Sequence, residues 1–567
     1  MTQICVPLMV ENHADALRDA IFAAEHGADM VELRVDVFFE DRTTEPDDER
    51  SESTVVDLLE ARIDRVLDLV EVMPLACIVT CRPHWEGGEY HGDDLDRVAL
   101  YEALANSEKP PAYIDVELAT FTHTPAIGER IVKAVETKGE GSPSTRLILS
   151  THDFTGRPTD LTRKIITMQE EDACSVVKIA YRARSIRDNL ELFEILADRH
   201  KPTIALGMGE FGLMSRVLAP KFGGFLTFAS LREEANTAPG QPTLDELLNL
   251  YRFRKIKSTT KVYGIIGWPV TQSMSPMVHN AGFEAVGFDG VYVPMPVEGS
   301  YESFKATMLA MIDSGLDFKG ASVTIPHKRH LGRFALEFDP HDQTNSTILI
   351  ASNGGLPQNT FEIDGMAGDL PLAETENTDS DAIISLITEA IKPRLLSEIH
   401  VHIYGAGGVA RAAAYPLAAM GSTLYLFNRS FISAHNMYTE IEVSLAGASI
   451  CGDIFIPDTE DHEKLSLLPC DILINCTPVG MKDGPDPDGL SIPIPDMDKL
   501  GPDTVFFDTV YNPIETPMIK AAKERGYRTI DGVEMFVKQA EMQFEYWTGT
   551  SAPTGLFDSL VRTKLST

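Results

Sequence analysis

The sequence predicts an α/β protein made of two successive parts, an eight-stranded (β/α)8 barrel and then a two-lobed α/β unit. Three observations carry this prediction. Short β-rich runs alternate with longer helical stretches, which is the pattern of parallel βαβ units. Eight such runs fall within the first 230 residues. A basic, apolar-poor stretch, YRFRKIKSTTKV (251–262), then precedes a fresh strand–helix pattern that begins at KVYGIIGWPV (261–270). A chain of 567 residues is also too long for one core, so more than one domain is expected.

The strand runs are ICVPLMV (4–10), MVELRVDV (30–37), LACIVTC (75–81), AYIDVEL (112–118), RLILST (146–151), SVVKIA (175–180), PTIALGM (202–208) and GGFLTFAS (223–230). Short, continuous apolar runs of this kind suit strands buried on both faces. Between them, ALRDAIFAAEHG (16–27) and DNLELFEILADRH (188–200) have helical spacing, and DRTTEPDDERSES (41–53) is an acidic loop. In a barrel of eight such units, chemistry sits at the C-terminal strand ends. Beyond 261, SNGGLPQNTFEIDGMAGDLPLAETEN (352–377) is expected to be a loop-rich break. HVHIYGAGGVARAAAYPLAA, near 400, is strand, glycine turn and helix. STLYLFNRS (422–430), CDILINCTP (470–478) and TVFFDTVYNP (504–513) continue the repeats, and MFVKQAEMQFEYWTG (535–549) closes as a helix.

The formal net charge of −36 argues against nucleic acid or an anionic membrane surface as a partner, since both need basic patches. The seven cysteines are odd in number and contain no CxxC pair. That argues against a disulfide framework or a structural metal site and for a reducing cytoplasm. No apolar run reaches the roughly 18 residues of a membrane span. The opening MTQICVPLMVEN enters an apolar strand directly, so no targeting segment is expected.

Within SVVKIA stands Lys178, a cation where a buried strand usually carries Val or Ile. A buried ammonium is costly unless it is paired or loses its proton, and a neutral lysine is a nucleophile toward ketones. Neighbouring cations and partial burial are expected to make it neutral. In MVELRVDV, Glu32, Arg34 and Asp36 are two apart and so share one face of a strand. This implies either a structural ion-pair cluster or a polar barrel interior. Asp115 and Glu117 repeat the pattern in YIDVEL, LSTHDF supplies His152, and TCRPHWEGG supplies Arg82 and Glu86. Arg216 follows in MGEFGLMSR, and Thr237 and Gln241 in NTAPGQ. A strand-end lysine can form an imine with a ketone, a histidine can move the proton next to it, and arginines can grip a carboxylate.

In the second part, GAGGVAR (405–411) sits between a strand and a helix, where glycines admit a pyrophosphate to the helix N-terminus. The next strand ends in Asn428 and Arg429 rather than in an acidic residue. An arginine there can pair with a 2′-phosphate, which favours NADP over NAD; a surface arginine without a ligand is the plainer alternative. GWPVTQSMSPMVHN carries Ser273 and Ser275 in a loop suited to hydrogen-bonding a carboxylate. SVTIPHK carries Thr324 and Lys328, and ENTD carries Asn377 and Asp379.

VELRVD, TCRPHWEGG, YIDVEL, STHDF, VVKIA, MGEFGLMSR and APGQ, in that order, make residues 1 to about 250 resemble the type I 3-dehydroquinate dehydratases. The resemblance implies Lys178 as the Schiff-base lysine and His152 as the general acid and base. It implies Glu32, Arg34, Arg82, Arg216, Thr237 and Gln241 as substrate contacts, with Thr237 where the family often has Ser. A class I aldolase is the alternative for this half, although no glycine-rich phosphate loop follows the last strands.

The glycine turn, the serine loop, SVTIPHK and ENTD, with NCTPVGM (475–481), VYNP (510–513) and GVEMFVKQAEMQFEYWTG (532–549), make residues 260–567 resemble the shikimate dehydrogenases. This implies a Rossmann NADP-binding lobe, with Lys328 and Asp379 as the catalytic pair. Ser273, Ser275, Thr324, Asn345, Tyr511 and Gln539 are the implied substrate contacts. Gly405, Ala406, Gly407, Gly408, Val409, Asn428, Arg429, Ser430, Thr509 and Gly532 are the implied cofactor contacts, and no metal is implied. Asn345 is assigned through QTNST (343–347), a shortened form of a family motif, and Ser322 stands where the family commonly has Asn. Expected domains are 1–255 for the barrel, 260–378 plus 540–567 for a substrate lobe, and 379–539 for the nucleotide lobe. The chain as a whole is expected to dehydrate 3-dehydroquinate and to reduce the product to shikimate with NADPH. A quinate dehydrogenase activity in the second half, and a non-catalytic quinate-pathway regulator, are the alternatives.

Overall fold

The computed structural model describes residues 1–40, 52–136, 144–232, 240–338, 349–352, 358–367, 370–446, 451–457, 468–491 and 500–566. Thr237, Asn345 and residues 41–51 of the acidic loop lie outside the described residues. The chain divides into two compact units. The first comprises Met1–Val262, Asp289–Val297 and Ala306–Asp317; the second comprises Tyr263–Phe288, Glu298–Lys305 and Phe318–Thr567.

In the first unit, eight strands form one sheet: β1 (Gln3–Met9), β2 (Met30–Arg34), β3 (Ala76–Thr80), β4 (Tyr113–Glu117), β5 (Arg146–Asp153), β6 (Cys174–Arg182), β7 (Thr203–Met208) and β8 (Leu226–Phe228). They run in the order β7-β6-β5-β4-β3-β2-β1-β8, with every ladder parallel. At the seam between β7 and β8, the Phe225 N–H donates to Thr203 O at 2.8 Å.

The strand period of two builds this barrel's interior in layers. Met30, Ile78, Tyr113, Ile148, Val176, Ile204 and Leu226 form one buried apolar cluster. Each such side chain is worth about 1.5–3 kcal/mol when taken out of water. Two residues further along the same strands stand Glu32, Thr80, Asp115, Ser150, Lys178, Leu206 and Phe228. The apolar layer thus ends where a mostly polar one begins, toward the C-terminal strand ends.

One expectation for this unit is corrected. Asp36 does not share the strand face of Glu32 and Arg34, because β2 stops at Arg34 and Asp36 opens a short helix, Asp36–Glu40. Its fully buried carboxylate is claimed locally: it pairs with Arg34 at 2.6 Å and accepts the backbone N–H of Arg82 at 2.8 Å and of Glu89 at 3.2 Å. The basic segment 251–262, which reads in sequence as a linker or a terminal helix, has little regular structure. It holds a short 3-10 turn, Phe253–Lys255, and then runs into β9 (Lys261–Gly267).

In the second unit, one sheet contains β9, β10 (Phe318–Val323), β11 (Leu349–Ser352), β12 (Thr360–Ala367) and β13 (Leu370–Glu376), in the order β9-β10-β12-β13-β11. The loop-rich break expected over 352–377 is in fact largely an antiparallel pair, β12 with β13. Its glycines and acidic residues mask the pairing, which carries a register shift between Ile363 and Met366 and a left-handed Gly365 at φ 104°.

The other sheet contains β14 (His400–Tyr404), β15 (Thr423–Phe427), β16 (Ile454–Phe455), β17 (Ile472–Asn475), β18 (Val505–Asp508) and β19 (Arg528–Ile530). All its ladders are parallel and its order is β16-β15-β14-β17-β18-β19. This is the doubly wound dinucleotide-binding order, whose ligand crevice lies at the strand ends where the order reverses, here between β14 and β17. Ile403, Ala413, Leu417, Leu424 and Ile474 are buried together beneath that crevice.

Candidate active sites

The first site lies at the C-terminal ends of the barrel strands. A small cavity of about 80 Å³ there is lined by Glu32, Arg34, Arg82, Glu86, His152, Lys178, Arg216 and Gln241, with Phe154 and Phe228 among the apolar walls. Seven of the eight barrel site residues proposed from the sequence are therefore brought together, with Glu86 beside them, and the eighth, Thr237, lies outside the described residues.

Lys178 is not surrounded by unopposed cations, as the sequence suggested. Its buried Nζ donates to Asp115 Oδ2 at 2.7 Å and to Glu32 Oε1 at 3.0 Å, and lies 4.8 Å from the centre of the Phe228 ring. Strand alternation brings all of these to one layer. Arg82 fixes the carboxylates from behind: its Nη2 donates to Asp115 at 2.9 Å, and its Nη1 to Glu117 at 2.7 Å and Ser150 Oγ at 2.8 Å. Burial alone would raise the Asp115 carboxyl, but Arg82 and Lys178 outweigh it and hold it far below the ordinary carboxylate range.

His152 and Glu86 form a second pair. The Glu86 carboxyl lies 2.9 Å from His152 Nδ1 and accepts the His152 backbone N–H at 2.7 Å. Burial, against the pull of Arg82, raises Glu86 to about 8. Burial and then the charges of Arg82 and Lys178 push His152 well below its ordinary value. At neutral pH the proton therefore rests on Glu86, and His152 is a neutral imidazole able to accept one.

Arg216 is of a different kind. It is buried, its Nε has no hydrogen-bond partner among the described residues, and no carboxylate pairs with it there. Burial alone lowers it to about 10. A guanidinium held dry without a counter-charge is expensive unless an anion completes the site.

In the second unit, Lys328 opens the helix Lys328–Glu337 and pairs with Asp379. Asp379 lies in the first turn of the helix Thr378–Ile391, which Asn377 caps by accepting the Ser380 N–H at 3.2 Å. Ser273 and Ser275 stand at the start of the helix Ser275–Val286, where Ser273 Oγ accepts the Ser275 N–H at 3.2 Å. Thr324 follows β10, and its N–H donates to Ile266 O at 2.8 Å. The Tyr511 ring is tilted against that of Phe536, centres 5.5 Å apart, one helical turn before Gln539 on the helix Gly532–Thr548.

Two residues of this site were missed. Asn359 Oδ1 accepts the Thr378 N–H at 2.8 Å, its Nδ2 donates to Gln539 Oε1 at 3.4 Å, and its carbonyl accepts the Val323 N–H at 2.7 Å. It thus sits among the residues next to Lys328 and Asp379. The signal was an Asn-Thr pair at 359–360, as good locally as the Asn-Ser pair at 345–346. Gln543 was missed as well. Its amide donates to Thr360 at 2.9 Å and Thr378 at 3.1 Å, and its carbonyl accepts Ser322 Oγ at 2.7 Å. The Ser322 hydroxyl is therefore engaged with Gln543.

The dinucleotide crevice has the required form. Gly405, between β14 and its helix, has φ 115°, and a Cβ there would lie 2.8 Å from Cys476 O. A Cβ at Gly407 or Gly408 would meet nothing within 4 Å, so open room lies beside the start of the helix Gly408–Ala419. Ala406 and Val409 flank these glycines and are half-buried. At the end of β15, Asn428 donates to Ser430 O at 2.9 Å, Ser430 caps the next helix, and Arg429 is exposed. Thr509 donates through its hydroxyl to Asn475 O at 2.9 Å, and Gly532 begins the closing helix. Open space beside the glycines at a helix start, with an exposed guanidinium after the second strand, fits a nucleotide carrying a 2′-phosphate. Among the described residues no cluster of His, Cys, Asp or Glu could hold a metal, and no helix is long and apolar enough to cross a membrane.

Comparison with known proteins finds matches for both parts of the chain. The family model for type I 3-dehydroquinase matches residues 4–258. The model for the shikimate dehydrogenase substrate-binding domain matches 265–344, and that for the shikimate 5′-dehydrogenase C-terminal domain matches 532–562. A bifunctional 3-dehydroquinate dehydratase/shikimate dehydrogenase of Arabidopsis thaliana, chloroplastic, is 34% identical over 561 residues, covering 98% of this chain and 83% of that one. An NADP(+) shikimate dehydrogenase of Methanocella arvoryzae is 32% identical over 306 residues, covering 54% of this chain and 99% of that one. The solved dehydroquinate dehydratase and shikimate dehydrogenase portion of S. pombe AroM is 23% identical with a TM-score of 0.41, covering 99% of this chain and 97% of that one. This chain belongs to the family of bifunctional 3-dehydroquinate dehydratase/shikimate dehydrogenases.

Proposed function

We propose that Lys178 and His152 carry the dehydratase reaction, and Lys328 and Asp379 the NADP-dependent reduction that follows it. The observation that carries the first assignment is Arg216, a buried guanidinium without a counter-charge among the described residues, in one small cavity with Lys178 and His152. It awaits a carboxylate, and the lysine beside it awaits a ketone.

The chain's residues can perform each step. Water takes a proton from the Lys178 ammonium, Nζ attacks the ketone carbon, and the proton returns to the resulting hydroxyl. Water leaves and a protonated imine forms, which draws electrons and acidifies the adjacent carbon. Neutral His152 removes that proton and returns one to the departing hydroxyl, which leaves as water. Hydrolysis of the imine frees the product and restores the lysine. Arg34, Arg216, Gln241, Glu32 and Thr237 hold the substrate. Arg82, also beside it, keeps Asp115 in place.

In the second unit, bound NADPH supplies a hydride to the ketone. Lys328, oriented by Asp379, supplies the proton to the developing alkoxide. Ser273 and Ser275 hold the carboxylate, and Thr324, Asn359, Tyr511 and Gln539 hold the ring hydroxyls. Asn359 takes the role assigned from sequence to Asn345. Gly405, Ala406, Gly407, Gly408 and Val409 would hold the pyrophosphate of the bound cofactor, Asn428, Arg429 and Ser430 would hold its 2′-phosphate, and Thr509 and Gly532 would complete the site. We place the working boundaries at 1–255, 260–378 plus 540–567, and 379–539. The substrates are small molecules. Seven free thiols support a reducing compartment, with the cytoplasm as the reading from sequence.

Replacing Arg216 by alanine tests the carboxylate grip. A charge-assisted hydrogen bond is worth about 1.5–3 kcal/mol, so KM for 3-dehydroquinate is expected to rise about ten- to a hundred-fold. An unchanged KM would remove Arg216 from the site.

The lowered His152 makes a pH prediction. A group held neutral below its ordinary range stays a base as pH falls. Below the Glu86 value of about 8, the dehydratase kcat/KM is therefore expected to stay flat down to about 6.5, the ordinary histidine value, and to fall from the protonation of His152 only beneath it. An acid limb centred at or above that value would contradict the assignment.

A further inference from the structure

The basic segment 251–262 has so far served only as a connection. With the opposite end of the barrel from Lys178, it builds a cavity of about 890 Å³. Thr2, Pro202 and Phe225, the residues just before β1, β7 and β8, form one side, and residues 253–257 contribute to the other. Arg199, His200, Lys201, Arg254 and Lys257 line it, and among the described residues no Asp or Glu does, in a chain whose net charge is −36.

Among the described residues, most of these cations have no carboxylate partner. Arg199 Nη1 donates to Leu196 O at 2.5 Å and to Phe222 O at 3.0 Å, and Lys201 donates to Glu171 O. Carbonyl oxygens orient a cation but do not cancel its charge. Arg199 is also confined by Gly223, at φ 68°, where a Cβ would lie 2.4 Å from Nη2. Arg254 has a carboxylate, Asp29 at 2.7 Å. The remaining wall is apolar, with Phe253 and Ile256 buried. Cations around a partly apolar floor, three of them oriented by hydrogen bonds, in a volume suited to a small ligand, suit an anion with an apolar body.

We propose that this cavity binds a small organic anion that carries carboxylate or phosphate charge on an apolar ring, separately from both catalytic sites. Calorimetric titration of the full chain with phenyl phosphate, phthalate, inorganic phosphate and citrate tests it. Phenyl phosphate and phthalate separate the two sources of charge, and the other two lack the apolar body. At least one ring anion is expected to saturate, more tightly than inorganic phosphate or citrate. The double variant Arg199→Gln/Lys257→Gln is expected to weaken it about ten-fold or more, with both turnover rates unchanged in the absence of the anion. Lys257→Gln alone, at an exposed position, is expected to weaken it in the same direction should the double variant fold poorly. Three results would overturn the proposal: no binding by either ring anion, binding as tight for inorganic phosphate or citrate, or binding that the variants leave unchanged, which would place the anion in a catalytic site.

Discussion

Lys178→Ala is expected to abolish dehydration of 3-dehydroquinate, by roughly four to six powers of ten, the scale of losing a covalent nucleophile. Reduction of 3-dehydroshikimate by the same protein should be unchanged, because its residues belong to the second unit. The variant carries a structural cost as well. Removing the ammonium leaves Asp115 and Glu32 buried without their shared partner, and breaking such a pair costs about 3–5 kcal/mol. The first unit should therefore melt earlier, and activity alone would not separate chemistry from folding. The unmutated enzyme provides the separation. Borohydride added with 3-dehydroquinate should fix a covalent adduct on Lys178, located by mass spectrometry. Label on another lysine, or none while turnover proceeds, would exclude the imine route.

Lys328→Met is expected to lower kcat for reduction of 3-dehydroshikimate by about 10²- to 10⁴-fold, the usual contribution of a positioned acid or base. Methionine keeps the length of the stem and removes only the charge. Asp379→Asn should act in the same direction, since it leaves Lys328 without the carboxylate that orients it. Dehydration of 3-dehydroquinate should be untouched in both. If the pair only holds the two helix starts together, melting temperature would fall and KM would rise while kcat at saturation stayed near native.

How far the sequence could be read depended on how local each feature is. The barrel strands were legible because buried parallel strands are continuous apolar runs, and Lys178 stood out against one of them. Its environment was not legible. Glu32 lies 146 residues away and Asp115 63 residues away, and only the closed sheet brings all three to one layer. The cations noticed nearby in sequence are engaged elsewhere, Arg34 by Asp36 and Arg82 by Asp115 and Glu117. The strand end at Arg34 was missed because the alternation of charge continues to Asp36, while the chain turns there to deliver that carboxylate to the backbone of the next loop. The β12–β13 pair was hidden by glycine and acidic residues that ordinarily mark a loop. Asn359 was passed over for a related reason: two Asn-Thr/Ser pairs look alike in sequence, and pairing with β10 and β13 is what brings Asn359 beside Gln539.

The central claim is that one chain carries two separate sites working in succession. Purified protein mixed with 3-dehydroquinate and NADPH measures it directly through the loss of reduced-nicotinamide absorbance. The native chain is expected to consume NADPH and accumulate shikimate. The Lys178→Ala chain should consume none from 3-dehydroquinate, yet run at the native rate once 3-dehydroshikimate is supplied. Consumption of NADPH from 3-dehydroquinate by the Lys178→Ala chain, or none by the native chain, would contradict the account.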